Sequence, residues 1–342
     1  MKIAIHHRKG SFSDRWIQYC EIHNIVYKLV DCYSNKIIED LKGCDCLIWH
    51  WNQNDYKAAL SARQITKSIE SMGLKIFPDT NTSWHFDDKV GQKYLLEAIN
   101  APMVESHVFY TKKEAMEWLS STSFPKVFKL RGGAGSVNVK LVKTYSSGRK
   151  LIRKAFSSGF SPINKTSMLN DRVWVFKRDK SFHALVGILK GFIRCFIPKD
   201  HIKFAANEKG YVYFQDFIPK NSFDTRLVVV GNRCIAMRRY CRENDFRASG
   251  SGIIAYEREL FDMRMIKIAF EVAKKIGSQS LAFDFITNEK SPLIIELSYC
   301  YAMGDAYDNC HGYWDENLEW HKEKINPQYF IIDDFIKTVL SL

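Results

Sequence analysis

Two carboxylates on neighbouring predicted strands are the residues best suited to chemistry. Residues 281–286 and 292–298 are apolar runs joined by a polar turn, which predicts a β-hairpin. Counted outward from the turn, Asp284 falls nearly opposite Glu296, and Ser298 shares the face of Glu296 because side chains alternate along a strand. Facing carboxylates repel each other, so a hard divalent cation such as Mg²⁺ would stabilise them. The alternative is a register shifted by one residue, which leaves one acid facing water.

A glycine-rich segment, Gly132-Gly133-Ala134-Gly135-Ser136, joins two further predicted strands, 125–131 and 137–142. Because a strand rather than a helix follows the glycines, phosphate loops of the Walker and Rossmann types are excluded. Backbone N–H groups of a glycine-rich hairpin can approach an anion closely, so the segment could fold over phosphates as a flap. Lys129, just before it, would place an ammonium group at the same phosphates. The alternative is an ordinary hairpin turn.

A cluster of arginines lies on a third predicted hairpin. The apolar runs 224–230 and 234–239 flank a Gly-Asn turn, which is a hairpin signal. A polar, glycine-containing loop with Arg247 follows this hairpin. Arginines beside free backbone N–H groups form anion sites, and the alternative is a set of solvated surface arginines. One end of the hairpin gathers four charged residues: Asp224, Arg226, Arg238 and Arg239.

The elements that must position these residues change character along the chain. Strands and helices alternate through residue 80, which predicts a small, mostly parallel sheet with crossover helices. A helix is predicted over 87–99, with Asp87 or Asp88 near its start, and residues 146–149 (Ser-Ser-Gly-Arg) are predicted to be a loop. We therefore predict three units, namely an N-terminal α/β domain (1–86), a central subdomain with the flap (87–210) and a C-terminal subdomain with the metal site (211–342).

The composition excludes several classes of protein. Hydrophobic residues make up 46% of the 342 residues, which suits a packed core and excludes a disordered chain. No apolar run is long enough to span a membrane and no secretory signal is recognisable, so we expect nine reduced cysteines in a cytoplasmic protein. The net charge of +12 favours an anionic partner. Nucleic acid is disfavoured because the basic residues form neither a tail nor a zinc-finger pattern.

In this order, the segments resemble the ATP-grasp superfamily from about residue 88 to about residue 304. The resemblance implies a fold of mixed α/β and α+β type, in which ATP is clamped between two α+β subdomains that follow an N-terminal α/β domain. It implies ATP-binding roles for Lys89, Lys129, Gly132, Gly133, Gly135, Ser136, Gln215, Asp216, Ile218 and Asp224. It implies that Arg239 and Arg247 hold the transferring phosphoryl group and the acyl phosphate, with Arg238 and Ser249 as further catalytic candidates, although Ser249 stands where the family more usually has Asn. It also implies that one or two Mg²⁺ ions are bound by Asp284, Glu296 and Ser298. Ser298 stands where the family usually has Asn, so water would complete the second ion's ligands.

The activity that the resemblance implies is ATP-dependent ligation. The family converts a small-molecule carboxylate into an acyl phosphate, which an amine then attacks with release of ADP and phosphate. The positive charge would suit an acidic acceptor, such as a uronic-acid sugar in surface polysaccharide synthesis. Two alternatives stay open: a module on this scaffold that binds nucleic acid or another polyanion, and a kinase of the same scaffold. The oligomeric state also stays open, with a homodimer as one option.

Overall fold

The computed structural model describes residues 1–133, 138–161, 206–243, 245–248, 251–289 and 291–341, with a few further positions between 172 and 186. The strands in these residues form three sheets. Among the described residues, no helix has the length and apolar character needed to cross a membrane. The eight cysteines that the structure describes are all free thiols.

The N-terminal sheet is parallel, which confirms the prediction from the alternating strands and helices. Its strand order is β2-β1-β3-β4, and every pair is parallel. Strand β3 is buried along its whole length, as expected for the interior of a parallel sheet. The strands are β1 (Lys2–His6), β2 (Val26–Val30), β3 (Cys46–Trp49) and β4 (Lys75–Phe77), and the helices are α1 (Phe12–Ile22), α2 (Ile37–Asp40), α3 (Tyr56–Ser71) and α4 (Thr80–Ser83).

The central sheet is antiparallel and contains the strand that precedes the glycines. Its order is β5-β8-β6-β7, with β5 (Ser106–Phe109), β6 (Lys126–Lys129), β7 (Lys140–Val142) and β8 (Val212–Asp216). The helices of this part are α5 (Lys89–Ala98), α6 (Lys112–Ser121) and α7 (Tyr145–Ala155). Strand β8 pairs with β5 and β6, although the boundary predicted after residue 210 groups it with the third unit.

The prediction of a loop over 146–149 is wrong, because these residues lie inside α7. The Thr144 side chain accepts a hydrogen bond from the Ser147 N–H at 3.3 Å, and the Ser147 hydroxyl is paired in return with the Thr144 backbone N–H. Gly148 fits here because α7 packs closely on α6: an added Cβ would lie 2.6 Å from Leu119 Cδ1. The serines and the glycine therefore cap and pack a helix instead of forming a turn.

The C-terminal sheet has seven strands in the order β13-β12-β9-β10-β14-β15, with β11 paired to β10. Hydrophobic residues of helix α8 cover one face, and the N-terminal domain and helix α10 pack on the other. The strands are β9 (Phe223–Val230), β10 (Arg233–Tyr240), β11 (Ile254–Ala255), β12 (Ser280–Asn288), β13 (Ser291–Ser298), β14 (Tyr313–Asp315) and β15 (Trp320–His321). The helices are α8 (Met263–Ile276), α9 (Asp305–Asp308) and α10 (Pro327–Leu340), with a short 3-10 turn over Arg258–Leu260.

One face of this sheet changes character along its strands. Val228 and Val230 of β9 and Ala282 of β12 belong to the core shared with the N-terminal domain. Two residues further along the same face, β9 carries Arg226 and β12 carries Asp284, because side chains alternate with a period of two. The apolar half of the face therefore holds the domains together, and the charged half is left to line a cleft.

Candidate active site

A cleft of about 270 Å³ lies between the central and C-terminal sheets. Lys129 and Gln215 line it from the central sheet, and Asp284 and Glu296 line it from the C-terminal sheet. Gly133, at the start of the glycine-rich segment, also borders the cleft. The structure thus brings residues of both predicted subdomains to one cavity.

Asp284 and Glu296 are directly paired across β12 and β13, which confirms the predicted pairing. The register of the hairpin shifts by one next to Asp284, where Ile295 is an extra residue without a partner strand position. In the unshifted register, Glu296 would stand opposite Phe283 and point to the other face of the sheet. The bulge therefore brings both carboxylates to the cleft.

Two arginines hold the Asp284 carboxylate. Arg226 donates two hydrogen bonds to it, at 2.7 and 2.8 Å, and Arg239 Nη2 lies 2.9 Å from Asp284 Oδ2. Arg239 also donates to both oxygens of Asp224, at 2.7 and 2.6 Å. Burial alone would raise the pKa of Asp284, but the guanidinium groups of Arg226 and Arg239 outweigh it and hold this pKa well below its usual range. Asp284 is therefore an ionised carboxylate.

Lys89 and Asp87 hold the backbone of Gly133 from two sides. Lys89 Nζ donates to the Gly133 carbonyl at 2.9 Å and lies 3.2 Å from Glu296 Oε1. The Asp87 carboxylate accepts from the Gly133 N–H at 2.8 Å, and burial raises the pKa of Asp87 to about 6. Asp88, not Asp87, caps helix α5, since its side chain accepts from the Gly91 N–H at 2.9 Å. Asp87 was predicted only as a residue near the helix start, and nothing in the local sequence indicates its contact with the glycines.

Gln92 fixes helix α5 against the strand that carries Glu296. Its amide donates to the Leu297 carbonyl at 2.8 Å and accepts from the Leu297 N–H at 2.9 Å. The side chain thus satisfies both backbone groups of a residue on the edge strand β13. Because Lys89 lies one turn earlier on the same helix, this docking places its ammonium group beside Glu296.

Lys129 is buried in the cleft wall and donates a hydrogen bond to Gln215 Oε1 at 2.7 Å. Burial, assisted by the positive charge of Lys89, lowers the pKa of Lys129 to about 8. Asp216 and Ile218 also border the cleft, but the Asp216 carboxylate is paired with Lys126 at 2.6 Å. Lys129 is therefore only partly protonated near its lowered pKa, and an anion in the cleft would favour its protonated form.

Two other predicted residues border the cleft with partners of their own. Arg247 Nη2 lies 2.7 Å from Asp245 Oδ2. The Ser298 hydroxyl donates to the Cys300 carbonyl at 2.9 Å, which leaves its oxygen lone pairs free to accept. Gly132 packs close to Asp87, and Gly135, Ser136 and Ser249 lie outside the described residues.

Arg238 lies outside the cleft, so its predicted place in the site is wrong. It neighbours Arg239 on β10, so its side chain points to the opposite face of the sheet. There its guanidinium group lies 3.9 Å from the centre of the Phe223 ring and donates to the Leu260 carbonyl. Arg238 therefore does not reach the cleft.

The paired carboxylates fit a hard divalent cation. Both are oxygen donors on one face, and the Glu296 side chain is 32% exposed towards the cleft. Asp284 shares its oxygens with two guanidinium groups, so Glu296 is the more open ligand.

Comparison with known proteins agrees with this architecture. Residues 194–303 match the RimK-like ATP-grasp domain. The D-alanine–D-alanine ligase of Bacillus anthracis has a TM-score of 0.56 at 14% identity, over 100% of this chain and 98% of that chain. A RimK domain ATP-grasp protein of Sphaerobacter thermophilus has a TM-score of 0.58 at 12% identity, over 98% of this chain and 99% of that chain.

A third similar structure is the ATP-grasp ligase PsnB with minimal precursor, Mg and ADP, with a TM-score of 0.56 at 11% identity, over 99% of this chain and 98% of that chain. No curated protein has a significantly similar sequence. At these identities the structural likeness concerns the fold. Residues 194–303 thus match an ATP-grasp domain, and the chain as a whole has the ATP-grasp fold.

Proposed function

We propose that this protein is an ATP-dependent carboxylate–amine ligase. One observation carries the proposal: a single cleft gathers two buried lysines, Lys89 and Lys129, opposite the paired carboxylates Asp284 and Glu296. Lysines suit the phosphates of a nucleotide, and facing carboxylates suit a divalent cation that accompanies it. No nucleophilic side chain is needed, because the substrate supplies both reacting groups.

The proposed reaction has two steps. A carboxylate oxygen of the first substrate attacks the γ-phosphorus of ATP, and the bond from that phosphorus to the β–γ bridging oxygen breaks, leaving ADP. The amine of the second substrate then attacks the acyl carbon, phosphate leaves with the electron pair of the C–O bond, and the amine loses a proton. The products are an amide, ADP and phosphate.

The chain's own contribution is charge placement. Phosphoryl transfer proceeds through a state with charge spread over several oxygens, so preorganised cations accelerate it. Lys129, Lys89 and Arg247 would supply positive charge along the cleft, with the Gly133 backbone beside them. Mg²⁺ held by Glu296 and Asp284 would neutralise further charge on the phosphates.

We also propose that residues bordering the cleft contact the adenine and the ribose of ATP. Asp216 and Ile218 border the cleft where the resemblance puts the adenine, and Asp224 lines it where the resemblance puts the ribose. The Asp224 carboxylate already accepts from Arg239, but each carboxylate oxygen has a second lone pair for a ribose hydroxyl.

For the substrate class, we propose an acidic acceptor of the uronic-acid type. The support is the net charge of +12, which would attract a carboxylate-bearing substrate to the protein. The pathway of surface polysaccharide synthesis and a location in the cytoplasm belong to the same proposal.

The experiment that tests the proposal is a screen for ADP release, with uronic acids and amino acids as paired substrates. Hydroxylamine is added in parallel to trap an acyl phosphate as a hydroxamate. Release of ADP together with hydroxamate supports the ligase. A stable phosphorylated product without hydroxamate would indicate a kinase instead. Absence of ADP with every pair, together with salt-sensitive binding of nucleic acid, would favour a binding module.

A further inference from the structure

Asp87 borders the cleft, but it has no part in the proposed reaction. It does not cap helix α5, because the neighbouring Asp88 accepts the hydrogen bond from the Gly91 N–H at 2.9 Å. Burial of a carboxylate costs free energy unless hydrogen bonds compensate for it. For Asp87 the compensating partner is the backbone N–H of Gly133, which donates to Asp87 Oδ1 at 2.8 Å.

The backbone of Asp87 adopts a conformation that its surroundings must hold in place. Its φ is +53°, in the left-handed region that residues other than glycine seldom enter. Residues in this region cost free energy and persist where the surrounding structure determines them. In this conformation the Asp87 carboxylate reaches Gly133, whereas that of Asp88 stays on its own helix.

The two glycines fit closely against Asp87. A Cβ added at Gly132 would lie 3.1 Å from Asp87 Oδ2 and 3.5 Å from the Asp87 carbonyl oxygen. Gly133 has a φ of +103°, which glycine adopts without the strain that a side chain would cause. Glycine therefore suits both positions because of the contact with Asp87, independently of any contact with a phosphate.

Three hydrogen bonds join the start of helix α5 to the start of the glycine-rich segment. The first is the bond from the Gly133 N–H to Asp87. In the other two, Lys89 Nζ donates to the Gly133 carbonyl at 2.9 Å, and the Lys89 N–H donates to the Arg131 carbonyl at 2.9 Å. Gly133 is thus held at both its N–H and its carbonyl group.

The position of Gly133 influences how well Lys89 can bind a phosphate. The Lys89 ammonium group lies 2.9 Å from the Gly133 carbonyl oxygen and 3.2 Å from Glu296 Oε1. If the Gly133 carbonyl moved away, the ammonium group would have one acceptor fewer and would pair more closely with Glu296. A phosphate would then have to compete with a tighter ion pair.

We propose that Asp87 is a positioning residue for the triphosphate of ATP. It fixes Gly133, and through the Gly133 carbonyl it keeps the Lys89 ammonium group available to the phosphates. This inference rests on the proposed function, since it concerns the nucleotide of that reaction. Asp87 acts through its acceptor oxygen, and its negative charge would repel a phosphate, so a neutral amide oxygen in the same place can replace it.

The test compares two substitutions of Asp87 in nucleotide binding. Asp87→Gly removes the carboxylate and tolerates the left-handed backbone, and Asp87→Asn keeps an acceptor oxygen. Titration calorimetry in the presence of Mg²⁺ measures the Kd of AMP-PNP, a nonhydrolysable ATP analogue, and of AMP, which lacks the β- and γ-phosphates. The matched control is Asp79→Gly at the start of helix α4, because the Asp79 carboxylate also accepts a backbone N–H, that of Thr82 at 2.8 Å.

We expect Asp87→Gly to raise the Kd of AMP-PNP about tenfold or more and to leave that of AMP unchanged, because only the longer nucleotide extends to Lys89. Asp87→Asn should bind AMP-PNP at least as tightly as the wild type does, because the acceptor is kept and a negative charge near the phosphates is removed. Asp79→Gly should bind both nucleotides like the wild type. Melting curves check that all three variants fold.

Three results would overturn the inference. Equal weakening of AMP and AMP-PNP binding by Asp87→Gly would mean that the variant damages the whole cleft. Unchanged or tighter binding of AMP-PNP by the same variant would mean that the nucleotide does not need Gly133 to be held by Asp87. Weakened binding by Asp87→Asn would assign the role to the charge of Asp87, as for a metal ligand.

ADP release, measured with the same proteins, separates this inference from the proposed function. ADP release by the wild type, with unchanged AMP-PNP affinity in Asp87→Gly, would refute the role of Asp87 alone. AMP-PNP binding that is weakened in Asp87→Gly, without ADP release by the wild type from any substrate pair, would support the role of Asp87 and refute the ligase.

Discussion

The buried ammonium group of Lys129 makes ATP binding depend on pH. Burial lowers the pKa of Lys129 to about 8, so the group loses its proton in a range where most other lysines stay charged. A triphosphate binds the charged form, because the neutral amine offers no electrostatic attraction. Nucleotide binding above about pH 8 must therefore take up a proton, and affinity must fall as the pH rises.

The size of the effect follows from that pKa of about 8. Roughly nine-tenths of the molecules carry the charge at about pH 7 and roughly one-tenth at about pH 9. If only the charged form binds, the Kd for the nucleotide rises about tenfold over this range. Titration calorimetry with a nonhydrolysable ATP analogue, in two buffers with different ionisation enthalpies, measures both the affinity and the proton uptake.

Lys129→Arg provides the control, because a guanidinium group stays charged throughout this range. Its Kd should stay constant between about pH 7 and about pH 9. A wild-type profile as flat as that of the variant would refute the argument from burial. An equally steep profile in both proteins would assign the proton to another group.

Three further predictions concern other parts of the chain. Glu296→Gln should lower ADP formation at least about a hundredfold, because it removes the more open carboxylate of the pair, while Glu316→Gln on the exposed surface should not; melting temperatures check that both fold. Gly148→Ala should destabilise the protein by about 1–3 kcal/mol in urea unfolding, since its Cβ meets Leu119, and the same change should become neutral or stabilising in a Leu119→Ala background. Arg238→Lys should leave kcat and the KM for ATP unchanged, because the side chain lies on the far face of the sheet; a marked rise in KM would contradict that placement.

The local pattern of the sequence was enough to predict the strands that carry the site. Alternating apolar residues and turn signals identified the hairpins of β9 with β10 and of β12 with β13. Counting along the second hairpin placed Asp284 nearly opposite Glu296, and the bulge at Ile295, which the sequence did not reveal, makes the pairing direct. Counting along the β9–β10 hairpin in the same way could have shown that Arg238 and Arg239 lie on opposite faces of the sheet. Around the turn at Gly231, Arg239 is paired with Asp224, so Arg238 must point the other way.

The features that the sequence did not reveal all depend on contacts between distant segments. Asp87 accepts from Gly133, which is 46 residues away, and Gln92 binds the backbone of Leu297, 205 residues away. Gly148 resembled a turn signal in the sequence. Its actual role is to leave room for the Leu119 side chain, which belongs to another helix and so is not visible in the local sequence. Local propensity cannot indicate such partners, since each residue would be equally acceptable on a solvated surface.

The extra residue at Ile295 affects the bend of the hairpin, whereas the pairing of Asp284 with Glu296 does not require a bulge as such. If Ile295 were deleted, Asp284 and Glu296 would still be paired, because the same number of residues would separate each of them from the turn. The ribbon would lose its local bend and some of its twist, so Glu296 would leave its present direction towards Lys89. Every reactive side chain would still be present in this deletion variant. The decrease in its turnover would therefore measure how much the reaction depends on the bend of the β12–β13 hairpin.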